Sequence, residues 1–195
     1  MIKPSYKICV SGAAAIDICN PTAKELAVQV GREIAKQGCI LVTGATTGIP
    51  YYSAIGAKEE GGYSIGLSPA STEKAHIKSY KLPVDKFDLI VYTGFEYAGR
   101  NLLMTRSADA VIIICGRTGT MNEFTIAFED EKPIGVLEGT GGTADMIRLL
   151  LAKGYRPKTP VIYDTDPVKL VSRIIALVKK EKDKNNKKVE TEKII

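Results

Sequence analysis

The run Val111-Ile-Ile-Ile-Cys115 is apolar at every position, with no polar alternation. A strand with one wet face alternates; a strand covered by helices on both faces does not, and such strands belong to parallel sheets. Six more short β-rich runs are spread along the chain, at Tyr6 to Val10, Cys39 to Thr43, Tyr63 to Leu67, Leu89 to Tyr92, Ile134 to Leu137 and Val161 to Tyr163. Helical patterns separate most of them. The clearest spans Pro21 to Gln37. Asn20 has N-cap chemistry, Pro21 suits the first helical position, Leu26, Val30 and Ile34 recur at helical spacing, and Gly38 ends the run. Further helices are expected near Tyr52 to Glu60, Gly99 to Ser107, Thr120 to Phe128, Thr143 to Leu151 and Pro167 to Lys182. Strands and helices in this order predict a three-layer, doubly wound α/β fold, whose ligands bind beyond the carboxyl ends of the strands.

Composition narrows the chemistry. A chain of 195 residues suits one domain. We expect that domain over residues 1–178, followed by a lysine-rich tail over 179–195. The tail, from Lys179 to Ile195, holds seven Lys against four acids and so supplies +3 of the formal +5, leaving the body nearly neutral. With no aromatic residue interleaved to stack on bases, the tail reads as a solvated, fraying helix end, which makes a nucleic-acid partner an unfavoured expectation. His76 is the single histidine, and Cys9, Cys19, Cys39 and Cys115 form no C-x-x-C pair, which is too little for a dedicated zinc or iron-sulfur site. No metal and no resident cofactor are therefore expected. Neither the uncharged stretch from Cys39 to Ala57 nor the short apolar core after Lys7 fits a membrane span or a signal peptide. The expected location is the cytoplasm, with no membrane partner, with reduced thiols, and with Cys9 and Cys115 as core residues.

Three strand ends run into small residues: Ser11-Gly12-Ala-Ala14, Gly44-Ala-Thr46-Thr47-Gly48 and Cys115-Gly116-Arg117-Thr118-Gly119-Thr120. Glycines permit close approach of a ligand, and the helix that follows offers unpaired N–H groups and the positive end of its dipole, so each loop is a candidate phosphate cradle. Neither G-x-x-x-x-G-K-[ST] nor a G-x-G-x-x-G after the first strand occurs, which argues against a Walker-type NTPase and a standard dinucleotide site. Glu123 falls on the first turn of the helix after the third loop. Its spacing from Thr120 equally fits a capping box.

The segment from Gly99 to Leu137, GRNLLMTRSADAVIIICGRTGTMNEFTIAFEDEKPIGVL, resembles the signature region of the LOG-like Rossmann superfamily. That superfamily includes cytokinin-activating phosphoribohydrolases, molybdenum cofactor carrier proteins and proteins once labelled lysine decarboxylases. Cys115 to Glu123 stands where the phosphoribohydrolases carry P-G-G-x-G-T-x-x-E, Arg100 stands at their upstream arginine, and the two earlier loops fall where the superfamily keeps its other ligand loops. The Arg100-Asn101 pair is closer to the carrier-like branch. Cys115 for Pro, Arg117 for the second Gly and Asn122 for a Glu depart from the enzymes' pattern, and the long cation of Arg117 either grips a phosphate or blocks one.

The resemblance implies a Rossmann-like fold with a mostly parallel sheet, and a homodimer or higher even oligomer. It implies two alternative functions. One is hydrolysis of the N-glycosidic bond of a nucleoside 5′-monophosphate, with Arg100 and Glu123 catalytic. The other is a non-catalytic carrier or sensor of a nucleotide or phosphorylated pterin. In both, Ser11, Gly12, Gly44, Thr46, Thr47, Gly48, Gly116, Arg117, Thr118, Gly119 and Thr120 hold the phosphorylated ligand. A decarboxylase is excluded because no lysine lies in the three loops to form a Schiff base. Tyr51 and Tyr52 either cover the sheet or stack on a base. His76 is expected at the surface, and Arg106 and Asp109 at a helix-strand junction, within possible reach of Glu123.

Overall fold

The apolar runs form the strands of one sheet. The computed structural model describes residues 6–153 and 160–192, and side-chain surroundings up to Lys184. Seven strands, β1 (Lys7–Gly12), β2 (Ile40–Thr43), β3 (Ser64–Ser68), β4 (Leu89–Tyr92), β5 (Ala110–Ile114), β6 (Ile134–Leu137) and β7 (Val161–Asp164), lie in the order β4-β3-β2-β1-β5-β6-β7. Every pairing is parallel. β5 is fully buried along its length, which is why its sequence shows no alternation.

The helices are α1 (Ala23–Lys36), α2 (Ile49–Glu59), α3 (Glu73–Lys78), α4 (Glu96–Ser107), α5 (Thr118–Glu129), α6 (Gly142–Ala152) and α7 (Pro167–Glu192). They cover the sheet from both sides. One core holds Ile8, Val10, Ile112 and Ile114 of the sheet under Val30 and Ile34 of α1, Ile49 of α2 and Ile174 of α7. The other holds Cys9, Val111 and Ile113 under Met104 of α4, Phe124 of α5 and Ile147 of α6. Successive residues of β1 and β5 thus serve opposite cores, as the two-residue strand period requires.

One local expectation is corrected, one short helix is added, and α7 runs on into the lysine-rich segment. The N-cap position of α1 is Thr22, without a side-chain cap bond. Asn20 instead sends its side-chain amide to the Gly139 carbonyl at 2.5 Å, and its backbone N–H to the Thr140 carbonyl at 3.0 Å. The short α3 escapes helical periodicity because it has only one and a half turns; Thr72 caps it by accepting from the Ala75 N–H. The lysine-rich segment continues α7 as far as Glu192, so position 178 falls inside a helix, and Lys182 reaches Asp109 at 2.9 Å. Residues 193–195 of the expected tail lie outside the described residues. No described helix is long and apolar enough to cross a membrane.

Candidate functional site

The strand order reverses between β1 and β5, where Ser11 pairs with Ile113 and Gly12 with Ile114. In a doubly wound sheet that switch point opens a crevice, because the loops leaving the two strands run to opposite faces. A cavity of about 410 Å³ occupies it, within the size range of small-molecule sites. Of the residues expected to hold ligand, Ser11, Gly12, Gly44, Thr46, Arg117, Thr118, Gly119 and Thr120 line this cavity together with Arg100 and Glu123.

Three expected residues stand behind the lining. Thr47 donates its hydroxyl to the Ala14 carbonyl at 3.0 Å, and Gly48, at φ +70°, sits so close to the Ala13 and Ala14 carbonyls that any side chain would collide with them. Both shape the β1–α1 loop. Gly116 takes φ +111°, with Thr120 filling the place of a Cβ, and turns the chain into α5.

Glu123 anchors the floor. It is 6% exposed on α5, and its carboxylate points across the switch point, away from its own helix end. The Ser11 hydroxyl donates to Oε2, and Arg100 Nη1 lies 3.3 Å from Oε1. With the Asn101 amide nitrogen assigned toward the site, it donates to Oε1 at 2.8 Å and to the Tyr97 carbonyl at 2.9 Å. The capping-box alternative for Glu123 therefore gives way to a bond across 112 residues of sequence. Burial pushes the Glu123 carboxyl above its ordinary value, with Arg100 and Ser11 pulling the other way. Burial likewise lowers the Arg100 guanidinium, opposed by the charge of Glu123.

Arg100 is the one cation of this floor among the described residues and is 5% exposed. Its Nη1 also touches Met104 Sδ at 3.4 Å, while its buried Nε has no hydrogen-bond partner among the described residues. Opposite it begins α5. Its first internal bond runs from the Met121 N–H to the Arg117 carbonyl, which leaves the N–H groups of Thr118, Gly119 and Thr120 without a partner inside the helix. A Cβ on Gly119 would meet nothing within 4 Å, so that stretch of backbone faces open space. Arg117 reaches Asp17 at 2.5 Å, with both side chains exposed, and holds the Asp17 carboxyl below the usual carboxylate range.

The β1–α1 loop is fastened to the loops after β5 and β6. Cys19 and Cys115 form a disulfide with 5.6 Å between their Cα atoms. This corrects the expectation of reduced thiols for these two, although Cys115 is fully buried as expected. Cys115 takes φ +52°, and its N–H bonds the Thr140 hydroxyl at 2.8 Å. Cys9 and Cys39 are free and buried.

The remaining candidates lie elsewhere. Tyr51 donates to Asp85, and Tyr52 packs on the core beneath the Lys24 ammonium. Arg106 pairs with Asp130, and Asp109 with Lys7 and Lys182. His76 is fully buried, which corrects its expected surface place. The Pro83 carbonyl can only accept, so Nε2 donates to it at 3.0 Å, and Nδ1 lies 2.8 Å from the Ser68 hydroxyl. The residue that sequence reasoning missed is Tyr97, which lines the cavity at 48% exposure.

Solved structures with the same architecture include the molybdenum cofactor binding protein of Rippkaea orientalis, 28% identical. It matches with a TM-score of 0.69, over 90% of this chain and 99% of the other. The Moco carrier protein of Chlamydomonas reinhardtii is 26% identical, with a TM-score of 0.73 over 91% of this chain and 99% of the other. An uncharacterized protein of Archaeoglobus fulgidus is 29% identical over 132 residues, 68% of this chain and 82% of that one. The model of the SLOG cluster4 family matches residues 5–171, and the chain belongs to that family.

Proposed function

We propose that this protein binds a small phosphorylated molecule bearing a planar heterocycle, a nucleotide or a phosphorylated pterin, and holds it without chemical turnover. The ligand's phosphate lies on the N–H groups of Thr118, Gly119 and Thr120, where the helix dipole favours an anion. Arg117 adds a cation that exchanges Asp17 for the ligand. Relatives named for molybdenum cofactor binding and carriage support the same reading.

The observation that carries the choice of binding over hydrolysis is the occupancy of Glu123. An ionised carboxylate offers about four acceptor positions, and Ser11, Arg100 and Asn101 take three. A general base needs a free position aimed at water. Three of the four positions of Glu123 are instead committed to a network that fixes Arg100, the residue with an unpartnered Nε. A homo-oligomer of even order completes the proposal, supported by Met146 and Leu149 of α6, 59% and 62% exposed.

The test incubates the protein with a panel of nucleoside monophosphates and follows two readouts, melting temperature and release of ribose 5-phosphate. Binding without release supports the proposal. Release that Glu123→Gln abolishes overturns it and makes the protein a phosphoribohydrolase.

A further inference from the structure

We infer that Tyr97 is the platform on which the planar ring of the ligand stacks, and hence the residue that selects ring-bearing phosphates over bare sugar phosphates. This rests on the proposed reading of the cavity as a phosphate-ligand site, and deepens it by assigning the ring a place.

The walls of the cavity are mostly glycine, alanine, serine and threonine, which suit close backbone approach but offer little flat apolar surface. Tyr97 is the one aromatic among the described lining residues. It stands on the first turn of α4, one turn before Arg100, so the ring and the buried cation share a helix face. A half-exposed tyrosine on a cavity wall presents a large, amphipathic surface with few degrees of freedom.

The ring is held in place. It meets Tyr80 edge to face, with centroids 5.9 Å apart and planes at 70°. Tyr80 is itself tied down, its hydroxyl donating to Glu96 at 2.5 Å, and that bond pushes the Tyr80 phenol up to about 12. The Arg100 guanidinium carbon lies 5.9 Å from the Tyr97 ring centroid. The Tyr97 carbonyl accepts from Asn101, the same amide that serves Glu123.

The backbone that delivers Tyr97 is strained. Glu96, the first residue of α4, takes φ +53°, two residues after Gly94 at φ +69°. A non-glycine residue in this region persists only when its surroundings impose it. Here the Glu96 N–H bonds the Pro69 carbonyl and its carboxylate takes the Tyr80 hydroxyl. The result is a sharp entry into α4 that sets Tyr97 at the cavity.

Stacking of a base on one aromatic side chain is tolerant of base identity and changes affinity by about 5- to 150-fold. The test is calorimetric titration of wild type, Tyr97→Ala and Tyr97→Phe with AMP, GMP, 6-hydroxymethylpterin diphosphate and, as the ringless probe, ribose 5-phosphate. The expected result is that Tyr97→Ala weakens the ring-bearing probes by about 5- to 150-fold, leaves ribose 5-phosphate unchanged, and is rescued by Tyr97→Phe. Ring-bearing probes that bind wild type and Tyr97→Ala equally overturn the platform while sparing the phosphate site. An equal loss of all probes overturns it too, and assigns Tyr97 to the positioning of Arg100. Failure of wild type to bind any probe overturns the cavity reading and the platform with it.

Discussion

Gly44 and Arg100 share one volume. A Cβ on Gly44 would stand 2.2 Å from Arg100 Nη1 and 2.7 Å from its Cζ, so the guanidinium lies flat across the bare backbone at the end of β2. The glycine of the second loop lines the cavity and also leaves room for the cation.

Gly44→Ala therefore displaces Arg100 from Glu123 while preserving every other group in the cavity. Overpacking of this kind costs about 1 to 3 kcal/mol. Loss of a charged hydrogen-bond donor weakens binding by about 10- to 150-fold. A melting curve and a titration with AMP measure the two effects; a variant that binds like wild type would mean that Arg100 makes no contact with the ligand.

The Arg100–Glu123 pair is buried on both sides, at 6% and 7% side-chain exposure. Removing one partner strands a charge in the core, at a cost of about 3 to 5 kcal/mol, whereas replacing both by apolar residues of similar volume is far milder. Glu123→Leu and Arg100→Met should each lower stability by that amount, and the double variant should recover most of it. Chemical denaturation of the four proteins checks this. Additive losses would mean that the two side chains act independently.

In the proposed site, Asp17 and the ligand's phosphate compete for Arg117. The Arg117–Asp17 pair is exposed, so it contributes little to stability and is weakened by salt. Asp17→Asn should tighten binding of a nucleoside monophosphate several-fold without shifting the melting temperature of the free protein, and Arg117→Ala should weaken it. Titrations at low ionic strength read both. Unchanged affinity in both variants would leave Arg117 outside the site.

Asp109 ties the start of β1 to α7. Burial alone would raise its carboxyl, but bonds from Lys182 Nζ at 2.9 Å and from the Lys7 N–H at 2.8 Å outweigh burial and hold the group below its ordinary value. A carboxyl depressed in the folded state stabilises the fold above its unfolded value of about 3.9, and that contribution is lost as pH falls toward the folded value. Asp109→Asn should cost about 1 to 3 kcal/mol at neutral pH. The difference should shrink below about pH 4, in melts recorded from pH 7 to 3.

The layers of the fold were legible because they depend on local patterns. Val111 to Cys115 announces a doubly covered strand, and Gly38 at φ +71° ends α1 where the sequence marks it. Arg100 and Glu123 emerged from a sequence motif, and the sheet brings them together. What stayed hidden depends on pairings distant in the chain. Ser11 meets Glu123 across 112 residues, and Cys19 meets Cys115 across 96, because β1 and β5 are neighbours although three strands and four helices lie between them in sequence. Asn20 has the chemistry of a cap but finds Gly139 instead, a partner that only the folded chain provides. His76 lacks any hydrophobic pattern of its own, and its burial follows from Ser68 and Pro83. Tyr97 carries no signal beyond being aromatic; its place is set by the turn at Glu96.

The most direct measurement is a crystal structure of the protein grown with AMP. The account predicts phosphate oxygens within hydrogen-bond distance of the Thr118, Gly119 and Thr120 N–H groups, the adenine on Tyr97, and Arg117 turned from Asp17 to the phosphate. A nucleotide bound away from the β1/β5 crevice, or a crevice that stays empty at saturating AMP while AMP still raises the melting temperature, would contradict it.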